Sequence, residues 1–363
     1  MLNVRILQVC PYGYLEKGGV NVHVRNISEH LAYRHDVTVY ATRTREDESG
    51  YPRYEWKNGV KVERFRSYAP HDAYYFSLEM LLRLPRVDVD VVHAHSYHAL
   101  PMHFSTLAKC KKFIITPHFH SVGHSPLQNA LIKLFKPVGK RTLRKADMIV
   151  AVSEHEKSLI CEQFGFSSNE VVVIPNGVNF SEFVGLRRRD HDFKSLLYVG
   201  YLASFKGPQY LIEVLPKLEN DVFLEIVGDG PLRPLMQKRA NELKVQDKVR
   251  FWRNLSRREL LQKYFDADVF LMLSKREAYS LTVAESLVAG TPCIVANTSA
   301  LSEWVDNTSC FGIGVPVDLD ELAALVRKAI GSNFNRIDAK KRIGTKILDW
   351  EQVAGKLESI YME

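Results

Sequence analysis

Ser274-Lys-Arg-Glu-Ala-Tyr-Ser-Leu-Thr-Val-Ala-Glu-Ser-Leu-Val-Ala-Gly-Thr-Pro292 is the stretch of sequence that decides the fold. The apolar run at residues 268–273 comes directly before it and predicts a buried parallel strand. Apolar residues at helical spacing follow Ser280, which we expect to cap a helix that ends at the Gly-Thr-Pro. A second apolar run, at 293–296, predicts the next strand. This order is typical of α/β sheets, which bind ligands at the carboxyl ends of their strands.

Two carboxylates lie in this stretch, Glu277 in the loop and Glu285 in the helix, at the spacing E-x7-E. With its helix and trailing Ala-x-Gly-x-Pro, the stretch resembles family 4 of the retaining GT-B glycosyltransferases. The resemblance implies that Glu277 faces the donor sugar and that Glu285 holds the ribose hydroxyls of the nucleotide. An ionised carboxylate accepts two hydroxyl hydrogen bonds, which suits a ribose diol. Because Glu is common, the spacing alone also fits a solvated loop Glu and a surface helix Glu.

Length and composition indicate a globular protein of two domains. The chain has 363 residues, of which 46% are hydrophobic and 25% charged. Its five cysteines are scattered without a C-x-x-C pair, which favours a reducing compartment over a disulfide or zinc framework. No apolar run reaches the roughly 18 residues of a membrane-spanning helix. The first residues lead directly into a strand, so we expect no signal peptide and a cytoplasmic location.

The charge of the chain is uneven. Up to residue 180 there are 23 Lys and Arg against 17 Asp and Glu, and the remainder has 26 against 25. The first half is therefore basic by six charges, which indicates an anionic partner such as a phospholipid or an acidic glycan. No zinc finger, RNA-binding signature or aromatic-basic stripe supports nucleic acid as that partner.

The first half begins with a strand, a Gly18-Gly19 turn and a helix. This order suits a phosphate cradle, because no side chain blocks the backbone N–H groups, although a plain tight turn has the same sequence. Members of the family carry the same Gly-Gly where the backbone approaches the donor diphosphate.

His93, His95 and His118 lie at the ends of two later strands. By the resemblance, His118 contacts the hydroxyls of the donor sugar.

The H-x-H pairs also fit a metal-dependent hydrolase. Such a site needs further ligands from later strands, and the second half contributes only His191. We therefore expect no metal and favour sugar contact for His118. For His93 and His95 a hydrogen-bonded structural role is favoured over ligand contact.

Residues 126–146 form a basic amphipathic stretch interrupted by Pro137. One face is apolar and the other is basic; the apolar set is Leu127, Leu131, Leu134, Phe135 and Val138, and the basic set is Lys133, Lys136, Lys140 and Arg144. Two interpretations stay open here. The stretch is either a core-packing helix with a basic outer face or a patch that binds anionic lipid headgroups.

The second half carries further motifs of the family. Lys206 matches the Lys that holds the donor diphosphate, but Tyr201 stands where an Arg is usual, and a phenol has one donor where guanidinium has five. Arg253, Arg276 or a metal are the candidates to compensate. The family usually has Glu-Gly-Phe-Gly at this point. In this chain residues with side chains stand in place of the two glycines after Glu277, and they narrow the space beside the sugar. By the resemblance, the remaining donor-binding positions are Leu255, Ala278, Tyr279, Ser280, Leu281, Thr282 and Glu285.

The predicted fold is GT-B, two facing Rossmann-like doubly wound α/β domains with a cleft between them. The expected domains are 1–178, completed by a terminal helix at 350–363, then a linker at 179–194 and a nucleotide-sugar domain at 195–349. The resemblance implies a metal-independent retaining glycosyltransferase without a cofactor, in which Glu277, Lys206 and His118 act on a nucleotide-sugar donor. The acceptor is a glycan, a glycolipid or a small molecule. A nucleotide-sugar epimerase or hydrolase, and a weakly catalytic nucleotide-binding protein, remain alternatives.

Overall fold

A computed structural model of the chain describes residues 3–14, 18–43, 51–68, 75–121, 126–331 and 346–363. The side chains of 126–131 are outside this description. The chain divides into two compact units. The first unit combines Met1–Gly177 with Asp349–Glu363, and the second unit is Val178–Leu348. Residues 179–194, predicted as a linker, fall in the second unit.

Each unit is built on one sheet. The strands in the described part of the first unit are β1 (Arg5–Val9), β2 (Asp36–Arg43), β3 (Tyr54–Lys57), β4 (Val60–Arg66), β5 (Val91–His95), β6 (Lys112–Thr116), β7 (Met148–Ala151) and β8 (Val171–Val173). Their order is β3-β4-β2-β1-β5-β6-β7-β8, and all neighbours are parallel except β3 and β4.

The second sheet is parallel throughout its described residues. Its strands are β9 (Lys194–Val199), β10 (Val222–Val227), β11 (Val249–Trp252), β12 (Val269–Met272), β13 (Cys293–Ala296) and β14 (Cys310–Ile313), in the order β11-β10-β9-β12-β13-β14. Both sheets consist of short Val, Ile and Leu-rich runs that are buried along most of their length, as expected of parallel strands covered on both faces. The predicted α/β class is confirmed.

Helices connect the parallel strands. In the described residues they are α1 (Gly19–Leu31), α2 (Leu78–Arg83), α3 (Leu100–Phe104), α4 (Pro126–Leu143), α5 (Glu154–Phe164), α6 (Gln209–Val214), α7 (Arg233–Glu242), α8 (Arg257–Asp266), α9 (Leu281–Val288), α10 (Leu319–Gly331) and α11 (Trp350–Met362). None of them is long and apolar enough to cross a membrane.

Part of the polar stretch before β4 forms a strand. Tyr54–Lys57 forms the edge strand β3, which pairs antiparallel with β4, while 44–50 lie outside the described residues. Arg64 on β4 holds the strand through a 2.6 Å ion pair with Glu55, and Lys61 lies over the ring of Trp56. An exposed edge strand needs no apolar face, so its polar sequence resembled that of a loop.

The predicted apolar face of the basic stretch is wrong in part. The helix α4 continues through Pro137, but Leu134 and Val138 are 78% and 50% exposed. The face that packs inward is formed by Gly139, Thr142 and Leu143. A Cβ at Gly139 would lie 1.9 Å from the Tyr97 hydroxyl. The helix α4 therefore approaches Tyr97 at a residue that has no side chain.

The loop after β9 and the loop after β12 lie against each other in the second unit. Gly207 has φ +73°, and a Cβ there would lie only 2.2 Å from the carbonyl oxygen of Leu273. The Lys275 N–H donates to the carbonyl of Phe205 at 2.8 Å, which joins the same two loops. Gly207 therefore satisfies two requirements at once, a left-handed backbone and a contact with no room for a side chain.

We predict that Gly207→Ala destabilises the protein more than Gly185→Ala. Both glycines have positive φ, but a Cβ at Gly185 meets no atom within 4 Å. The left-handed conformation costs an alanine about 1–2 kcal/mol at either position. The backbone contact adds about 1–3 kcal/mol of overpacking at Gly207 alone. Urea unfolding midpoints test this prediction, and equal shifts for the two variants would show that the loop contact relaxes at no cost.

Candidate active site

Lys206 and Glu277 meet at the carboxyl edge of the second sheet. Lys206 is in the loop after β9 and Glu277 in the loop after β12, the two loops held together at Gly207. The Lys206 Nζ donates to Glu277 Oε1 at 2.6 Å, and the two side chains are only 22% and 12% exposed. Two residues that the sequence predicted to act together are thus joined by a partly desolvated, charge-assisted hydrogen bond.

The backbone of Glu277 is fixed from a third loop, the one after β13. The Glu277 N–H donates to Ser299 Oγ at 3.0 Å, and its carbonyl accepts from the Ala300 N–H at 3.2 Å. Loops from three neighbouring strands therefore determine where this carboxylate lies. The backbone of Glu277 is therefore restricted before any ligand binds.

Glu285 lies on α9 and makes its ion pair with a residue that the sequence did not point to. Arg257, on the first turn of α8, approaches Glu285 Oε1 at 2.6 Å through Nη1. Through Nε the same guanidinium donates to Glu182 at 2.8 Å. One oxygen of Glu285, which is expected to hold the ribose hydroxyls, therefore already has a cationic partner.

Burial and this ion pair act in opposite directions on Glu285. Burial raises the pKa of the Glu285 carboxyl above its usual value, and Arg257 reduces that rise. A carboxylate in this position accepts hydrogen bonds best when ionised. Arg257 therefore stabilises the form of Glu285 that a ribose diol requires.

The loop between Glu277 and α9 is held by aromatic packing. The ring of Tyr279 is buried against Trp304 at 5.2 Å, and Trp304 Nε1 donates to the Tyr279 carbonyl at 2.8 Å. The predicted capping by Ser280 is wrong, since this residue has φ +76° and its side chain bonds no backbone N–H. A glycine is usual at this point in the family, and the positive φ explains that preference. Ala278, Leu281 and Thr282 are half-buried beside it.

The other predicted donor positions lie further along the same edge. Tyr201 follows β9 and is 54% exposed, with its carbonyl accepting from the Tyr198 hydroxyl at 3.0 Å. Leu255 follows β11 and is half-buried. Of the two arginines considered as substitutes for the missing one, Arg253 donates to Asp229 at 2.9 Å on the surface. Lys206 remains the cation that the structure places beside Glu277.

Gly18 comes directly before α1 in the first unit, and Gly19 is the first residue of that helix. A Cβ at Gly19 would meet no described atom within 4 Å, and one at Gly18 would only touch Asn21 at 3.8 Å. Neither glycine has a positive φ. The packing of this unit therefore does not require glycine here, and the lack of side chains leaves the N-terminus of α1 accessible.

Three histidines converge inside the first unit. His95 ends β5, His118 follows β6, and His23 lies on α1, and all three are buried. One nitrogen of each lies within 4.8 Å of one nitrogen of both others. Burial lowers the pKa of His23 to about 4 and those of His95 and His118 well below the usual value. The three rings are therefore neutral at pH 7.

His93 differs from these three. Its Nδ1 lies 2.7 Å from the Tyr361 hydroxyl and its Nε2 lies 2.7 Å from Thr116 Oγ1, so both nitrogens are engaged. It is a structural histidine that ties β5 to α11. His118 has the opposite character, since its backbone is held at φ +46° and its Nε2 has no partner among the described residues.

Sequence reasoning missed His23 and Arg257. His23 is one of several polar residues on an otherwise ordinary amphipathic helix, and Arg257 is one of two adjacent arginines after a capping serine. The weak signal for His23 was its position four residues after Gly19, where the first turns of a helix reach the carboxyl edge of the sheet. Nothing in the sequence distinguished Arg257 from Arg258.

We predict that Arg257→Met makes stability depend more strongly on pH. The folded-state pKa of Glu285 is raised, so its ionisation opposes folding as pH rises above the unfolded value, and losing Arg257 enlarges this effect. The loss at pH 7 should be about 1–2 kcal/mol, below the value for fully buried pairs because the Arg257 side chain is 41% exposed. At pH 5 the loss should be smaller.

Urea unfolding at both pH values measures this difference. Arg258→Met, a change to the exposed neighbour, is the control and should show neither effect. Adding Glu285→Gln to Arg257→Met should remove the extra pH dependence. If that double variant keeps it, another group is responsible.

Two family models match successive parts of the chain. Glycosyltransferase Family 4 matches residues 17–182, and Glycosyl transferases group 1 matches residues 185–346. An uncharacterised glycosyltransferase of Methanocaldococcus jannaschii is 28% identical, with 95% of this chain and 94% of the relative covered. Glycogen synthase of Mycobacterium tuberculosis is 29% identical, with 99% and 94% covered. The phosphatidyl-myo-inositol mannosyltransferase of the same organism is 25% identical, with 99% and 96% covered.

Solved structures agree with the fold. Sucrose-phosphate synthase of Thermosynechococcus elongatus superposes with a TM-score of 0.81 at 18% identity, covering 99% of this chain and 98% of the other. HepE of Anabaena, in complex with UDP and glucose, gives 0.77 at 15% identity, with 99% of both chains covered. At these identities the likeness establishes the architecture alone. With two family models that together span nearly the whole sequence, the chain belongs to the GT-B glycosyltransferases, with a family 4 domain followed by a group 1 domain.

Proposed function

We propose that this protein transfers a glycosyl unit from a nucleoside-diphosphate sugar to an acceptor hydroxyl, with retention at the anomeric carbon and without a catalytic metal. The observation that carries the proposal is the Lys206–Glu277 pair at the carboxyl edge of the group 1 domain. In the reaction the bond from the sugar to the diphosphate breaks, and a bond to the acceptor oxygen forms. The leaving diphosphate gains negative charge, which a fixed cation stabilises.

Lys206 suits this role because its ammonium has three donors. One donor is used on Glu277, so two remain for diphosphate oxygens. The second carboxylate oxygen of Glu277 suits a hydroxyl of the sugar. Lys206 would then lie between two anions, Glu277 and the diphosphate. This arrangement supports separate roles, in which Glu277 positions the sugar and Lys206 positions the leaving group.

The remaining roles follow from the same reasoning. Glu285, whose negative charge Arg257 favours, accepts from the ribose hydroxyls. The group 1 domain also contributes Leu255 on the base side and residues 278–282 beside the sugar. In the family 4 domain, the exposed backbone at Gly18 and Gly19 suits a diphosphate, and His118 Nε2 suits a sugar hydroxyl. The complexes of HepE with UDP and with UDP-glucose support a nucleotide-sugar donor.

A panel of nucleotide sugars, each with and without lipid extract, tests the function by nucleotide release and product mass. Product that contains both sugar and acceptor is the expected result. Free sugar released without an acceptor would instead favour a hydrolase, and a rearranged nucleotide sugar an epimerase. Nucleotide binding without turnover would favour a silent binding protein.

We predict that Lys206→Ala lowers turnover by about two to three orders of magnitude, because leaving-group stabilisation is lost. Tyr201→Phe should cost less, since it removes one neutral hydroxyl from a half-exposed side chain. Lys238→Ala, on the exposed side of α7, is the matched charge control and should not change turnover. A larger loss from Tyr201→Phe than from Lys206→Ala would reverse the assignment.

We also propose that the protein associates with anionic membranes through α4. Its exposed side carries Leu134 and Val138 next to Lys133, Lys140 and Arg141. Solvent-exposed apolar side chains among cations are typical of helices that lie in a lipid interface. The relative named as a phosphatidyl-myo-inositol mannosyltransferase supports a lipid-linked acceptor. Lys136 and Arg144 contribute less, because they are engaged with Gln163 and with Gly165 and Glu170.

We predict that the protein sediments with anionic vesicles at low salt and is released at high salt. Each cation near an anionic surface contributes about 1 kcal/mol, screened over about 8 Å at physiological ionic strength. Replacing Lys133, Lys140, Arg141 and Lys145 with Ser should lower binding at least about tenfold. Replacing four lysines of the other unit, Lys217, Lys238, Lys244 and Lys248, is the matched control. Wild type that stays in solution with anionic vesicles at low salt would contradict the proposal.

A further inference from the structure

The three converging histidines of the first unit have a property that their predicted roles do not explain. His23 Nε2, His95 Nδ1 and His118 Nε2 are buried, and the described residues provide none of them with a hydrogen-bond partner. Buried polar atoms normally have partners, because an unpaired one costs free energy. Three such atoms on three neighbouring rings leave hydrogen-bonding or metal-binding capacity that the described residues do not use.

The hydrogen bonds of the other nitrogens fix which form two of the rings adopt. His23 Nδ1 lies 2.7 Å from Asn176 Oδ1, and His95 Nε2 lies 2.8 Å from Gln8 Oε1. An amide oxygen only accepts, so these nitrogens carry the protons. His23 Nε2 and His95 Nδ1 therefore bear lone pairs. Gln8 is itself oriented, since its Nε2 donates to the Tyr361 hydroxyl at 3.2 Å.

This arrangement is the one that metal-binding histidines adopt. A coordinating imidazole is neutral, uses one lone pair on the metal and donates its other ring N–H to an oxygen of the protein. Carbonyl oxygens of Asn176 and Gln8 supply that second contact for two of the rings.

The distances require only a small adjustment. Three nitrogens no more than 4.8 Å apart share a centre that is at most about 2.8 Å from each, against about 2.0–2.1 Å for a zinc–imidazole bond. Rotations of side chains that move each nitrogen by less than about 1 Å would close the site.

We infer that His23, His95 and His118 form a binding site for a divalent transition-metal ion of the zinc class. Imidazole nitrogens select such ions over magnesium and calcium, which prefer oxygen. Three histidines leave a fourth position for water or another ligand. The sequence suggested no metal because the third ligand was sought on later strands, whereas it comes from the first helix.

A metal ion at this site would affect the proposed glycosyl transfer. This consequence rests on the proposed function. His118 Nε2 is the atom proposed to contact the donor sugar, so a bound ion and the sugar compete for it. Zinc would then inhibit transfer and donor would weaken zinc binding. The metal titration below contains no donor, so its failure and a failure of the proposed function are distinguishable.

The experiment is calorimetric titration of the tag-free, full-length, metal-stripped protein with Zn²⁺ alone, together with visible absorption of added Co²⁺. We expect one ion per chain, a tetrahedral Co²⁺ spectrum and a rise in melting temperature with Zn²⁺. His118→Ala should weaken binding at least about 100-fold, and Asn176→Ala, which keeps all three imidazoles, roughly 10–100-fold. His191→Ala, in the other unit, is the matched control and should bind like wild type.

Circular dichroism identifies any variant that does not fold, and Asn176→Ala and His118→Ala provide two separate tests. Absence of a stoichiometric site in wild type would overturn the inference. Equal affinity in wild type and folded His118→Ala would do the same, because the ion would then lie elsewhere. In that case the three lone pairs are better explained as acceptors for hydroxyl groups of a sugar.

Discussion

The contact between the backbone at Gly207 and the carbonyl of Leu273 is the constraint on which the arrangement of the group 1 domain depends. It leaves no space for even a methyl group, so the loops after β9 and β12 can pack this closely only with glycine at position 207. Lys206 precedes this contact by one residue and Glu277 follows it by four. Their 2.6 Å hydrogen bond is a consequence of how the loops pack as much as of the attraction between the charges.

The two domains handle buried polar groups in different ways. In the group 1 domain, carboxylates at the edge of the sheet are paired with the cations Lys206 and Arg257. In the family 4 domain, His23, His95 and His118 stay neutral because burial opposes their protonation. The first arrangement provides fixed charges, and the second provides ring nitrogens that the described residues leave without a partner.

Much of the fold could be predicted from the sequence, because short apolar runs between glycine-rich turns leave few alternatives to parallel α/β sheets. The stretch from 274 to 292 also identified Glu277 and Glu285, and the resemblance paired them with Lys206. Arg257 and His23 could not be found in this way, because their partners come from distant parts of the chain and their own neighbours are unremarkable. The exposure of Leu134 and Val138 could not be predicted either. An amphipathic pattern shows that a helix has two different faces, but it does not show which face is covered.

The route of the chain sets the order in which the first unit can be completed. Its main part ends at Gly177, the whole second unit follows, and only then does α11 supply Trp350 and Tyr361. Trp350 packs on the ring of His23 and against Gly177, and the Tyr361 hydroxyl contacts His93 and Gln8. The contacts around the histidines are therefore completed only after the chain has passed through the whole second unit. Until α11 packs, His23 lacks its contact with Trp350, and His93 lacks its hydrogen bond to the Tyr361 hydroxyl.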